Sequence, residues 1–285
     1  MQLIKPCNTI QVIPQDPNTC LFNTIMMAII YSDELSKCVY KKIKHLINTE
    51  ITRTEDIDRD NLFKFQIAYF LKSVLSIKRG FIRRQKDLRK SIDRFSQTIS
   101  SYFNIHYPTL NQRDLNLFFL SSVLKDLGVN VSTIIFIDSE NKLIKNIEYD
   151  FDYQEYTRKE NQNIPDVLLL TYSNEYNNLI RIGNVVDPND IDEFELETMT
   201  YYGVRYKKEC VLLSNDDYSH TIVGLTCNKS KKYVYNGWKE ENELIYYDWD
   251  WVSTNDPGPL NVDGLSFDFT NPENIHKELK VYVRI

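Results

Sequence analysis

Closely spaced cysteine pairs are absent from this 285-residue chain. The sequence has five cysteines, an odd number, and no two of them form a Cys-x-x-Cys pair. Small secreted domains that depend on disulfides are much shorter and usually carry an even set of cysteines. The cysteine pattern therefore excludes a disulfide-stapled miniprotein and predicts free thiols in a reducing compartment. The chain is long enough to form one large domain with a sizeable core.

An excess of positive charge is also missing. Lysine and arginine number 34 against 40 aspartate and glutamate residues, which gives a net charge of −6. Proteins that hold nucleic acid by its phosphates need a basic surface, so we expect no nucleic-acid partner. No apolar run reaches the roughly 18 to 20 residues that span a bilayer, and the first residues lack the pattern of a signal peptide. We therefore expect a soluble cytoplasmic protein without a membrane partner.

Hydrophobic patterning divides the chain into a helical part and a strand-rich part. The spacing of apolar residues predicts helices at about residues 21–31, 33–47, 61–77, 85–103 and 112–127. Gly128 is a suitable C-cap for the last of these helices. Segments rich in β-branched and aromatic residues predict strands at 131–138, 166–172, 202–213, 221–227, 232–236, 244–248 and 279–285. An acidic run at 187–195 is expected to be a solvated surface loop.

This order of elements predicts an α+β fold. Residues 1–129 would form an N-terminal helical lobe, and residues 130–285 would form a C-terminal antiparallel β lobe. The two lobes together would make one domain. A site between them would lie in a cleft, where ligand sites prefer to form.

Cys20 stands where the first apolar helix is expected to begin. Pro17 disfavours a helix before it, and Asn18 or Thr19 is a suitable N-cap. The unpaired N–H groups of a helix N-terminus lower the pKa of a thiol and stabilise a developing oxyanion. Cys20 is therefore a candidate nucleophile, and Gln15 a candidate side-chain donor to the oxyanion. The alternative is that Cys20 is a small buried hydrophobic residue, as most cysteines are.

His220 follows a polar turn and precedes an apolar strand, so a sheet would hold it firmly at the mouth of a cleft. The chain has only four histidines. His220 could take the thiol proton and return it to a leaving amine. Asn236 ends the next strand, which should pair with the His220 strand in a hairpin and bring the amide near the imidazole. The alternative for His220 is a structural histidine, and the alternative for Asn236 is an asparagine that stabilises the turn. Asp248 or Asp250 could then be the third residue of the triad.

Taken in this order, these segments resemble the ubiquitin-specific proteases. Residues 18–23, Asn-Thr-Cys-Leu-Phe-Asn, are similar to the family's cysteine box, in which Asn-Thr-Cys is followed by an aromatic residue, any residue and Asn. Residues 164–170 resemble the family's Leu-Pro-x-Val-Leu core strand. Residues 233–236 are similar to its Trp-Tyr-x-Phe-Asp/Asn strand. Papain relatives also have an Asn followed by a small residue and Trp, like residues 236–238.

Several positions depart from the family pattern. Gln15 stands where the family usually has an asparagine as oxyanion donor, although papain relatives use a glutamine near this place. Leu21 replaces the aromatic residue after the cysteine, and Ser219 replaces the glycine before the histidine. The Cys-x-x-Cys pairs that bind zinc in the family's fingers region are missing, so that region is absent or reduced.

The resemblance implies a papain-like two-lobe fold and a cysteine protease that needs no cofactor and no metal. It implies cleavage after the Gly-Gly tail of ubiquitin or a ubiquitin-like modifier through a Cys20 acyl-enzyme, with His220 as base and Asn236 as its orienting partner. The overall architecture of the chain is similar to that of compact, divergent members of the family that large DNA viruses encode. Host cytoplasm is then the expected location, with packaging in a virion left open.

Two alternatives remain open. The same triad in a viral enzyme could process a structural precursor protein instead of ubiquitin. A papain-fold chain could also have lost activity and serve as a structural or scaffold protein. Labelling of Cys20 by a ubiquitin tail that carries an electrophile distinguishes a ubiquitin-specific protease from these two alternatives.

Overall fold

A computed structural model describes residues 20–50, 59–78, 120–134, 164–171, 190–195, 197–214, 220–227, 231–236, 245–246, 260–262, 264–267 and 278–285. For Cys20 it describes the backbone. The predicted helix at 85–103 lies outside the described residues, as do Gln15, Ser219, Asp248 and Asp250.

The helices occur where the apolar spacing predicts them. They are α1 (Cys20–Tyr31), α2 (Asp33–Glu50) and α3 (Arg59–Lys78), and residues 120–126 are also helical. All side chains from Leu21 to Tyr31 are buried, as a helix that is apolar on nearly every face requires. The helix at 120–126 ends in a Schellman motif, because Val129 N donates to Leu124 O and Gly128, with φ of 79°, donates to Lys125 O.

The strands follow the helices in the chain. Their bounds are β1 (Val131–Ile134), β2 (Val167–Thr171), β3 (Ile191–Phe194), β4 (Thr198–Tyr201), β5 (Val204–Ser214), β6 (Thr221–Cys227), β7 (Lys231–Tyr235), β8 (Ile245–Tyr246), β9 (Leu260–Val262), β10 (Leu265–Phe267) and β11 (Glu278–Arg284). Within the described residues, nine of these strands form one sheet. Its main order is β1-β2-β11-β5-β6-β7-β8, and β4 joins β3 to the first part of β5.

The α+β class is confirmed, with one exception to the antiparallel prediction. Strand β1 runs parallel to β2, whereas the other paired strands are antiparallel. A parallel pair needs a long connection, and here the connection from residue 134 to residue 167 supplies it. The remaining predicted strands in the described range are present, although β8 is only two residues long.

One hydrophobic core joins the helices to the sheet. It includes buried residues of α1, α2, α3 and residues 120–129 together with one face of β2, β5, β6, β7 and β11. A smaller apolar cluster lies on the opposite face and includes Leu168, Met199, Tyr206 and Tyr282. The helical and strand-rich parts therefore stabilise each other through shared buried surface.

The loop prediction for the acidic run was wrong over residues 191–194. Residues Ile191–Phe194 form β3, which pairs with β4 in a hairpin. Ile191 is buried, while Asp192 and Glu193 point to solvent, so the acidic side chains lie on an edge strand. The predicted strand at 202–213 also begins later than expected, because Tyr202 (φ 46°) and Gly203 (φ 71°) form the turn before β5.

Among the described helices, none is both long and apolar enough to cross a membrane.

Candidate active site

The candidate site is built on the β6–β7 hairpin. His220 immediately precedes β6, and Asn236 immediately follows β7. The two strands pair antiparallel, with Val223 opposite Tyr235 near this end of the hairpin. Because antiparallel pairing places the start of one strand beside the end of its neighbour, the polar residues that flank these strands are brought together.

His220 and Asn236 form a buried hydrogen bond. The Nε2 atom of His220 lies 2.7 Å from the Oδ1 atom of Asn236. The side chains are buried, with His220 0% exposed and Asn236 5% exposed. An amide oxygen only accepts hydrogen bonds, so Nε2 must carry the proton. In the neutral ring this arrangement leaves the lone pair on Nδ1, which fixes the basic nitrogen of the imidazole.

Helix α1 lies against the strand that follows His220. The hydroxyl of Thr24 donates to the backbone oxygen of Thr221 at 3.0 Å, and both residues are buried. Thr221 is the next residue after His220, and Thr24 is one turn after Cys20. At 1.5 Å of rise per residue, four residues span about 6 Å of helix axis. The backbone of Cys20 therefore lies about 6 Å along the helix axis from the point where α1 contacts the residue after His220.

Cys20 is the first residue of α1, as the sequence predicts. The backbone N–H groups of the first turn have no partner within their own helix, and the helix dipole makes this end positive. A thiolate or an oxyanion is stabilised at such a position. The helix is buried from Leu21 to Tyr31, so water screens the helix dipole less than it would on a surface helix.

Two other cysteines have described side chains, and neither stands at a helix N-terminus. Cys38 is partly buried, and burial raises the pKa of its thiol to about 11. Cys210 is fully buried, and burial raises the pKa of its thiol well above the ordinary value. Both thiols are protonated at neutral pH, and a protonated thiol is a poor nucleophile.

The structure thus brings His220 and Asn236 together, and it packs α1 against the strand that follows His220 at Thr24, one turn after Cys20. Gln15 and Asn18 lie outside the described residues, so their predicted roles stay predictions. Asp248 and Asp250, the alternatives to Asn236 as third residue of the catalytic triad, also lie outside the described residues. Within the described residues, no group of three or more His, Cys, Asp and Glu side chains is arranged to hold a metal ion.

Sequence reasoning missed the contact between Thr24 and Thr221. A polar residue inside an otherwise apolar, buried helix was the available signal, because a buried hydroxyl needs a hydrogen-bond partner. The partner itself could not be read from the sequence, since it is a backbone oxygen 197 residues away.

No protein-family model matches the chain, and no curated protein sequence matches it. Among solved structures, the chain is similar to the SAGA Ubp8/Sgf11/Sus1/Sgf73 DUB module, at 10% identity and a TM-score of 0.47, covering 100% of this chain and 70% of that chain. The same module bound to monoubiquitin gives 8% identity, a TM-score of 0.48 and coverage of 98% and 70%. An essential yeast splicing factor gives 13% identity, a TM-score of 0.35 and coverage of 90% and 70%.

Proposed function

We propose that this protein is a thiol-dependent peptidase or isopeptidase of the ubiquitin-specific type, which cleaves ubiquitin or a ubiquitin-like modifier through an acyl-enzyme on Cys20. The observation that carries the proposal is the buried 2.7 Å hydrogen bond between His220 Nε2 and Asn236 Oδ1. This bond orients an imidazole next to a strand on which the cysteine-bearing helix packs. The substrate class rests on the resemblance of residues 18–23 to the family's cysteine box.

In this mechanism His220 acts first as a base and then as an acid. Its Nδ1 atom takes the proton of the Cys20 thiol, and the thiolate attacks the carbonyl carbon of the modifier's C-terminal glycine. The tetrahedral intermediate collapses when the imidazolium protonates the leaving amine. Water then attacks the carbonyl carbon of the thioester while His220 takes one of its protons, and the C–S bond breaks. The imidazolium returns this proton to the leaving Cys20 thiolate, and the modifier departs with a C-terminal carboxyl group that ionises in water.

Asn236 acts through His220. By accepting the Nε2 proton in a hydrogen bond, it holds the ring in the tautomer and orientation that leave Nδ1 basic. The negative charge of the tetrahedral intermediate would be stabilised by the backbone N–H of Cys20, at the positive end of α1, and by the amide of Gln15.

The proposal is tested by turnover of ubiquitin that carries a C-terminal fluorogenic amide. Cys20→Ala should abolish release of the fluorophore, whereas Cys38→Ala should keep it, because the Cys38 thiol is protonated at neutral pH. Thermal unfolding of both variants checks that they are folded. Turnover retained in Cys20→Ala would refute the assignment, and loss of equal size in Cys38→Ala would also contradict it.

A further inference from the structure

Three buried hydroxyl groups connect the two parts of the proposed site. Thr24 Oγ1 of α1 donates to the backbone oxygen of Thr221 at 3.0 Å. The side chain of Thr221 shares a 3.1 Å hydrogen bond with Ser214 Oγ at the end of β5. Thr24, Thr221 and Ser214 are at most 5% exposed. The first strand residue after His220 is therefore held through its backbone by α1 and through its side chain by β5.

The direction taken by the Thr24 hydroxyl is informative. A threonine inside a helix can satisfy its hydroxyl by bonding the carbonyl one turn earlier, which here belongs to Cys20. The Thr24 hydroxyl bonds the neighbouring strand instead. It therefore links the helix to the sheet at the turn that follows the proposed nucleophile.

Apolar packing holds most of the remaining α1 surface against the sheet. The other buried side chains of α1 are mostly apolar, and apolar contacts are non-directional, so they resist separation of helix and sheet more than small sliding movements. A hydrogen bond depends steeply on distance and angle. The bond from Thr24 to Thr221 can therefore set the position of the N-terminal part of α1 along β6.

We infer that Thr24 is a positioning residue that sets the separation of Cys20 from His220 by anchoring α1 to Thr221 one turn after Cys20. This inference rests on the proposed function. Thr24 touches neither substrate nor proton, and it acts through the placement of the nucleophile and its base. A displacement of about 1 Å between reacting groups can cost on the order of 10²-fold in rate.

The test compares three variants of the full chain. Thr24→Val keeps the size and branching of the side chain and removes the donor. Thr24→Ser keeps the donor and removes a methyl group. Ile29→Val, also buried in α1 but more than one turn further along, removes a methyl group away from the anchor. The measurements are kcat and KM for ubiquitin with a C-terminal fluorogenic amide, and the folded fraction.

A second readout does not depend on the substrate. Iodoacetamide alkylates the thiolate of Cys20, and mass spectrometry of the Cys20 peptide gives the rate at each pH. A cysteine paired with an imidazole reacts at lower pH than a free thiol. A purely structural change would lower the folded fraction without moving this pH profile.

We expect Thr24→Val to lower kcat by about 10- to 100-fold with little change in KM, and to move the Cys20 alkylation profile to higher pH. Thr24→Ser and Ile29→Val should stay close to the unaltered protein in both measurements. Equal behaviour of Thr24→Val and Ile29→Val would overturn the positioning role while leaving the proposed function intact.

The two proposals fail in different ways. If the unaltered protein does not turn over ubiquitin but its Cys20 profile lies at low pH and moves in Thr24→Val, the positioning role stands and the substrate assignment falls. If Cys20 of the unaltered protein reacts like an ordinary thiol, with no rate at low pH, both the thiol mechanism and the positioning role are overturned.

Discussion

The carboxylate of Glu209 accepts a hydrogen bond from the backbone N–H of Glu34 at 2.7 Å, which places a buried acid at the N-terminus of α2. Glu209 is the extra residue of a β-bulge, because Val281 of β11 pairs with Cys210 whereas Tyr282 pairs with Lys208. The bulge turns a residue of the central strand toward the helix. A carboxylate at this end of a helix satisfies an unpaired N–H and complements the helix dipole.

Glu209 should make the stability of the fold depend on pH. Burial raises the pKa of its carboxyl from 4.5 to about 7. The charges of Asp33 and Glu34 add to this rise. The hydrogen bond from the Glu34 N–H and the charge of Lys207, whose Nζ lies 3.4 Å away, act in the opposite direction and lower the pKa. The folded state therefore holds this proton at pH values where the unfolded state has lost it. The free energy of unfolding should fall as pH rises from about 4.5 to 7.

The measurement is urea unfolding of the unaltered protein and of Glu209→Gln at pH 5 and pH 8. Glutamine still accepts from Glu34 but cannot ionise, so the variant should gain roughly 2 to 3 kcal/mol relative to the unaltered protein between these pH values. Glu193→Gln, which changes an exposed acid, is the matched control and should follow the unaltered protein. A constant difference between Glu209→Gln and the unaltered protein would contradict the account.

A second prediction concerns Asp166, whose carboxylate joins three separate elements. It lies 2.7 Å from Lys42 Nζ of α2 and 3.1 Å from Arg284 of β11, and it accepts from Asn130 N at 3.1 Å. Asp166→Ala should lower the free energy of unfolding by about 2 to 3 kcal/mol, because the Asn130 N–H is part-buried and loses its acceptor along with two ion pairs.

The two cations supply the comparison. The side chains of Lys42 and Arg284 are 33% and 44% exposed, so either one can return to water when its partner is lost. Lys42→Met and Arg284→Gln should each cost less than about 1 kcal/mol, because Asp166 keeps one cation in either variant. Denaturant unfolding checks the order. A larger loss from either cation variant than from Asp166→Ala would show that the carboxylate is not the centre of this network.

Apolar periodicity was sufficient to predict α1, α2 and α3, because each buries a face whose residues recur at helical spacing. The adjacency of His220 and Asn236 could also be predicted, since two short strands separated by three residues of sequence usually pair with each other. Their catalytic roles stay a prediction. The sequence could not indicate the parallel β1–β2 pair, because pairing between strands about 30 residues apart depends on the whole sheet.

The acidic run was misread for a local reason. Asp192 and Glu193 look like loop residues, but an edge strand tolerates charged side chains on its solvent side while Ile191 fills the apolar cluster behind it. The bulge at Glu209 was beyond prediction as well. A glutamate in a strand is normally expected to face solvent, and the packing of α2 against β5 gives the buried carboxylate of Glu209 a hydrogen-bond donor.

A third prediction separates the base from its orienting partner. His220→Ala should lower kcat by about 10²- to 10⁴-fold, because the proposed mechanism assigns the proton of the thiol to this imidazole. Asn236→Ala should be milder, since water or a neighbouring group can partly replace an orienting hydrogen bond. Steady-state kinetics of both variants test this order. If His220→Ala keeps most of its activity while His45 or His106 proves essential, the site is built differently.

Gln15 gives a fourth prediction. Its amide is expected to supply the second donor to the tetrahedral oxyanion, beside the backbone N–H of Cys20. Gln15→Ala should lower kcat about 10²- to 10³-fold and change KM little, while Cys20 still reacts with iodoacetamide, which forms no oxyanion. A loss confined to KM would assign Gln15 to substrate binding. No loss at all would move the donor role to Asn18.

The most direct test of the central claim is the reaction of the full-length protein with ubiquitin whose C-terminus carries an electrophile. The account predicts one covalent adduct, which mass spectrometry places on Cys20 and which His220→Ala slows strongly. Related ubiquitin-like modifiers with the same electrophile, tested side by side, identify which tail the enzyme accepts. Failure of every such probe to label Cys20, with the protein shown to be folded, would contradict the account, and so would an adduct on Cys7, Cys38, Cys210 or Cys227.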